Sequence, residues 1–221
     1  MVVIHRAMLR DLERLADSLG GLAASAPPAR AASAPPARAA SAPPARAAAV
    51  RRYTAALLTA IRADHDGKEE VLWPLVAALA GASVDLAPLA DDHLAIAAAA
   101  DETSRALARL GSEPGTPGEL HASVTALHGM LGEHIADEQS HVFPAMRTYL
   151  TAGAYLWCER QIRRRASLRD RMFTMPWLAR YARPGELKRL LATGGWPARV
   201  LLACARPAYA RLERQAFAVW T

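Results

Sequence analysis

Two stretches of this chain, HDGKEEVLWP at residues 65–74 and HIADEQSHVFP at 134–144, put a histidine and then, four residues on, a glutamate into apolar helical stripes. Four residues of α-helix advance by about 400°, so each pair sits nearly eclipsed, one turn apart and on one face. Two ionised carboxylates buried without compensation would cost several kcal/mol each. Any fold for this chain must therefore offset them, by protonation, by His–Glu pairing across helices or, more fully, by a metal cation.

The surrounding periodicity says which fold. Helix 1 is expected at about Val3–Leu19, with His5, Met8, Leu9, Leu12, Leu15 and Leu19 on one stripe. Helix 2 is expected at about Ala48–Leu79, carrying Leu58, Ile61, His65, Glu69, Leu72 and Val76 and kinked at Pro74. Helix 3, about Leu86–Leu110, aligns Leu89, His93, Ile96, Ala100 and Leu107, and the loop SEPGTPGE follows it. Helix 4, about Leu120–Leu150, aligns Leu120, Val124, Leu127, Leu131, His134, Glu138 and His141. Short links imply antiparallel neighbours, so the expected class is all-α, an up-down four-helix bundle over residues 1–150.

Two segments fall outside that pattern. The octapeptide SAPPARAA occurs three times in 25–48. Its paired prolines forbid a continuous helix and favour an extended low-complexity linker. Residues 151–221 are expected to form a small helical C-terminal extension, cut into short pieces at Pro176, Pro184, Gly194-Gly195, Pro197 and Pro207. Charge divides at the same place. Residues 1–149 carry a net −4 and residues 150–221 a net +10. Such a basic third makes an anionic membrane surface a candidate partner. Nucleic acid is the poorer candidate, because RQIRRRASLRDR has few interleaved aromatics and no recognition signature. No stretch approaches the roughly 18 apolar residues that span a bilayer. No secretory signal is evident, and the distant Cys158 and Cys204 suggest no disulfide framework. A cytoplasmic location is the expectation.

With the four stripes facing one axis, His5, His65, His93 and His134 converge with Glu69 and Glu138. A metal offsets the buried carboxylates and uses the imidazole lone pairs. Nitrogen and oxygen donors without a thiolate disfavour a closed structural zinc site. Six donors suit two ions with bridging glutamates, iron first, with manganese or zinc as alternatives. The flanking residues Glu70, Asp66, Asp91, Asp92 and Asp137 are expected at the surface or, for Glu70, behind a ligand.

At these residues the sequence resembles the hemerythrin-like HHE cation-binding family. The family pattern of one histidine, HxxxE, one histidine and HxxxE reads here as His5, His65/Glu69, His93 and His134/Glu138, and EEVLWP and EQSHVFP resemble the family's Pro-terminated flanks. The resemblance implies a non-haem di-iron centre with the four histidines as terminal ligands and the two glutamates as bridges. Two departures point away from the oxygen carriers. Ala97 stands where they have a second helix 3 histidine, and the last motif is HxxxE where they have HxxxxD. The expected function is a non-haem di-iron protein that binds or reacts with oxygen, nitric oxide or peroxide, in sensing, detoxification or iron handling. The alternative is a helical scaffold with a structural metal, held to nucleic acid or membrane by its basic third.

Overall fold

The computed structural model describes residues 1–25, 44–111 and 115–217. No strand occurs among them. The elements are α1 (Val2–Ser25), α2 (Pro44–Gly67), a π-helical turn at Lys68–Leu72, α3 (Trp73–Ala80), a 3₁₀ turn at Gly81–Ser83 and α4 (Ala87–Arg109). Then follow α5 (Thr116–Asp137), a second π turn at Glu138–Val142, α6 (Phe143–Tyr149), α7 (Ala152–Arg165), α8 (Leu168–Tyr181) and α9 (Pro184–Ala216). The four expected helices correspond to α1, α2–α3, α4 and α5–α6. Within the repeat segment expected as linker, residues 26–43 lie outside the described residues. Its last five residues instead open α2, because proline is tolerated in a first helical turn.

The apolar stripes become the core. Met8, Leu12, Leu15 and Leu19 of α1 are buried, as are Leu120, Val124, Leu127 and Leu131 of α5. α1 packs on α5, α5 on α4, and α4 on α2. These contacts close one large apolar cluster. A smaller one, around Leu72, Trp73, Val76, Leu89, Val142 and Met146, begins within the π turns. His5, His65, His93 and His134 each fall in sequence between a member of one cluster and a member of the other. A polar layer is thus clamped between two apolar ones.

The two π turns are matched. The Trp73 N–H bonds to the Lys68 carbonyl and the Phe143 N–H to that of Glu138, five residues back in each case. Pro74 and Pro144 come next. A proline has no N–H to donate and crowds the carbonyl four residues earlier. The disruption expected at Pro74 therefore takes the form of a widened turn on its N-terminal side, a device often found at functional sites.

The C-terminal segment differs from its expected form. Pro176 and Pro207 lie inside helices, and the one internal break in α9 is at Gly195, with φ 66° and ψ −158°. Burial of Pro176 and Trp177 offsets the lost backbone bond. α8 and α9 pack on each other and on α2, and α8 also on α1, so Trp177, Tyr209 and Ala216 join the large core cluster. Trp177 of α8 reaches Asp11 of α1.

Asp11 is fully buried. Its Oδ2 accepts from Tyr53 Oη at 2.6 Å and from Trp177 Nε1 at 2.7 Å. Its Oδ1 accepts from Arg14 at 2.8 Å and from the Tyr181 hydroxyl. Because Tyr53 donates to Asp11, it accepts from Tyr209, 2.9 Å away. One carboxylate thus joins α1, α2 and α8, and Tyr209 of α9 through Tyr53. α7 lies against the first π turn, where a Cβ on Gly67 would meet Ile162 Cγ2 at 2.9 Å. Among the described residues, no helix is long and apolar enough to cross a membrane.

Candidate metal centre

Three of the expected ligands meet. One ligand atom from each of His65, His93 and His134 lies within 4.8 Å of the others, and all three residues are buried. Their tautomers follow from their partners. His93 Nδ1 is 2.6 Å from Glu69 Oε1, and His134 Nδ1 is 3.2 Å from Asp92 Oδ2. A carboxylate only accepts, so both Nδ1 atoms carry the proton and both Nε2 atoms present bare lone pairs. Those two Nε2 atoms face each other at 3.1 Å. His65 Nε2 is buried with no hydrogen-bond partner at all.

Lone pairs facing at that distance repel unless a cation lies beside them. Metal–nitrogen bonds of about 2.0–2.1 Å set adjacent ligands roughly 2.9–3.4 Å apart, and the observed spacing falls within that range. Carboxylates behind two of the rings fix their orientation and raise their basicity. Burial, reinforced by Lys68 nearby, lowers the imidazole pKa from 6.5 to about 2 for His65 and about 4 for His93 and His134. The rings are neutral at neutral pH, which is the ligating form. The donor set fits a metal ion.

The other three expected ligands are placed differently. Glu69 sits at the rim, its side chain 40% exposed, and spends one oxygen on His93. Glu138 is fully buried. Its Oε2 is 2.7 Å from Lys68 Nζ, 3.4 Å from His5 Nε2 and 3.8 Å from His134 Nε2, while its Oε1 has no partner. His5 accepts from Lys68 at 3.2 Å, so its Nδ1 carries a proton, and that atom is buried without a partner. Burial first, then Lys68, lowers His5 to about 3. The structure thus gathers His65, His93 and His134 in one group and His5 and Glu138 in another around Lys68.

Lys68 and Asp64 are the residues that sequence reasoning passed over. Lys68 is 2% exposed, and its Nζ lies 2.8 Å from Asp64 Oδ2. Burial works against its charge, but Asp64 and Glu138 outweigh it and hold its pKa above the ordinary lysine value. Burial would raise Asp64, which Lys68 reverses, leaving it below the usual carboxylate range. Their i,i+4 spacing, acid first, was the available signal. Asp92, expected at the surface, is half exposed and orients His134. Glu70 turns away to Arg165 of α7, and His141 is exposed on the backbone of its own turn.

Beside His65 and His93 a cleft of about 140 Å³ opens between α2 and α4, lined in part by Ile61, Arg62, Glu69 and Ala97. Comparison with known proteins gives the site its context. The family model of the hemerythrin HHE cation-binding domain matches residues 1–146, and the chain belongs to that family. Membership and the histidine cluster together make this a metal-binding domain, with iron the typical ion. No curated protein and no solved structure matched the chain.

Proposed function

We propose that the chain is a non-haem iron protein whose centre binds or reacts with oxygen, nitric oxide or peroxide. The observation that carries this is the meeting of one ligand nitrogen from each of three buried histidines, two of them Nε2 atoms freed by carboxylates behind the rings, beside a cleft of about 140 Å³. Pockets for larger organic ligands run to roughly 300–1,000 Å³, so the cleft suits a molecule of two to four atoms. His65, His93 and His134 would hold the ion, with Glu138 Oε1 available behind them. Iron, when bound, would supply a redox-active Lewis acid there.

The chain's own residues do the rest. Ala97, lacking a ligating side chain, leaves the wall of the cleft open. Glu69 stands at its mouth with its pKa raised by partial burial, where it can hold or return a proton. The two-iron centre expected from six ligands requires a second ion among His5, Asp64 and Glu138. Nuclearity turns on Lys68.

Iron content of the freshly purified chain, read with its optical spectrum before and after anaerobic nitric oxide, tests the proposal. Retained iron and a spectrum that nitric oxide changes are expected, with both lost in His65→Ala. Protein that retains only zinc and gives no response would instead favour the structural-metal reading.

A further inference from the structure

Lys68 is the residue that the three-histidine site does not use. The chain has twenty-five arginines and two lysines, Lys68 and Lys188. In a protein that makes almost every cation an arginine, a compact ammonium stands at the one position buried beside the candidate ligands. A guanidinium is a broad planar fork, whereas an ammonium is a point charge of roughly ionic size.

Its surroundings are those of a cation site. Asp64 from α2, Glu138 from the second π turn and His5 from α1 aim two carboxylates and one imidazole nitrogen at a single point. Lys68 Nζ occupies that point, 2.8, 2.7 and 3.2 Å from them. Oxygen and nitrogen donors in that combination suit a divalent ion, and a metal would approach them to about 2.0–2.2 Å. An ion and Nζ cannot both be there.

We propose that the Lys68 ammonium is the built-in second cation of this centre. The protein then takes up a single metal ion, at His65, His93 and His134, and Glu138 links ion and ammonium. This rests on the metal-binding reading above. The arrangement of Glu138 supports it. One oxygen is committed to Lys68, and the other is buried with no partner, on a side chain whose Oε2 lies 3.8 Å from His134 Nε2. Charge supports it as well. Two carboxylates, one ammonium and one divalent ion leave the buried layer at +1. A second divalent ion added beside the ammonium would raise it to +3, with nothing further to offset the repulsion.

The experiment loads the full-length metal-free chain with ferrous ion under anaerobic conditions. After desalting, iron per chain is measured, and the oxidised protein is examined by electron paramagnetic resonance. The wild type is expected to hold one iron with the signal of an isolated high-spin ferric ion, and Lys68→Ala to hold two, coupled and silent. Amine labelling supplies a readout that needs no variant. The exposed Lys188 should react while Lys68 stays protected, both before and after loading. Two irons in the wild type, or labelling of Lys68 that appears on loading, would overturn the inference. One iron in both proteins would overturn it too, since the second position would then be closed for another reason. A wild type that takes up no iron fails the metal-binding reading itself, a result distinct from two. Should Lys68→Ala not fold, wild-type stoichiometry and labelling still decide.

Discussion

Two polar clusters buried among the described residues are built on opposite principles. Around Asp11 every oxygen is committed, with two donors on each and a second tyrosine behind the first. Around His65 the groups are aligned but incomplete. Two lone pairs face each other, and His65 Nε2, His5 Nδ1 and Glu138 Oε1 lack partners. A fully satisfied network fixes one arrangement of helices. A network left short of one cation is held in place by its neighbours and stabilised by what it binds. Burial alone does not separate the two clusters, but hydrogen-bond completeness does.

The contrast can be broken by paired substitutions. Asp11→Asn should destabilise the fold by about 3–5 kcal/mol, because it strands buried donors and an arginine. Urea titration would read this, and iron per folded chain should not change. His65→Leu should do the reverse, abolishing iron retention while leaving the metal-free chain as stable as wild type or more so. If the two variants behaved alike, the distinction would fail.

Acid sharpens the comparison next. Each of the four imidazoles has a folded pKa of about 2–4 against 6.5 when exposed. Below pH 6.5 the unfolded chain therefore takes up protons that the folded, metal-free chain refuses. Stability is full above 6.5 and falls as pH drops toward the folded values, by up to about 1.4 kcal/mol per pH unit for each histidine. Urea midpoints at three pH values between 7 and 5 would show it, and a flat profile would mean the rings are not held neutral. Asp92→Ala, which frees the Nδ1 of His134, should weaken metal affinity by about 10–100-fold in a competitive chelator titration. The smallest effect is expected from Tyr209→Phe. It removes the outer hydroxyl of the closed cluster and should cost about 1 kcal/mol, with metal affinity untouched.

Much of this could be read from residue spacing. Leu120, Val124, Leu127 and Leu131 announce the inner face of α5, and the in-phase histidines announce the polar layer. Glu69 and Glu138 were equivalent by pattern, each four residues after a histidine and followed by a proline. The structure puts one at a half-exposed rim and the other at zero exposure. That difference comes from which helix packs opposite each, and periodicity along one helix carries no such information. Lys68 escaped for a related reason. A lysine beside two glutamates reads as a solvated residue until two other helices bring Glu138 and His5 to its tip. In the proline-rich C-terminal segment the breaks expected at Pro184 and Gly195 form, whereas Pro176 stays helical because propensity sees its lost backbone bond and not the buried Trp177 beside it.

The family match ends at residue 146, but α7 lies so close to α2 that residue 67 has no room for a side chain. A protein trimmed to the recognisable domain would keep every candidate ligand and lose α7, which packs on the first π turn and sets Ile162 against Gly67. The first π turn, which carries Lys68 and Glu69, would then lose the helix packed on it. Fragments chosen by family boundary would therefore report on a centre with one flank of its ligand-bearing turn unsupported.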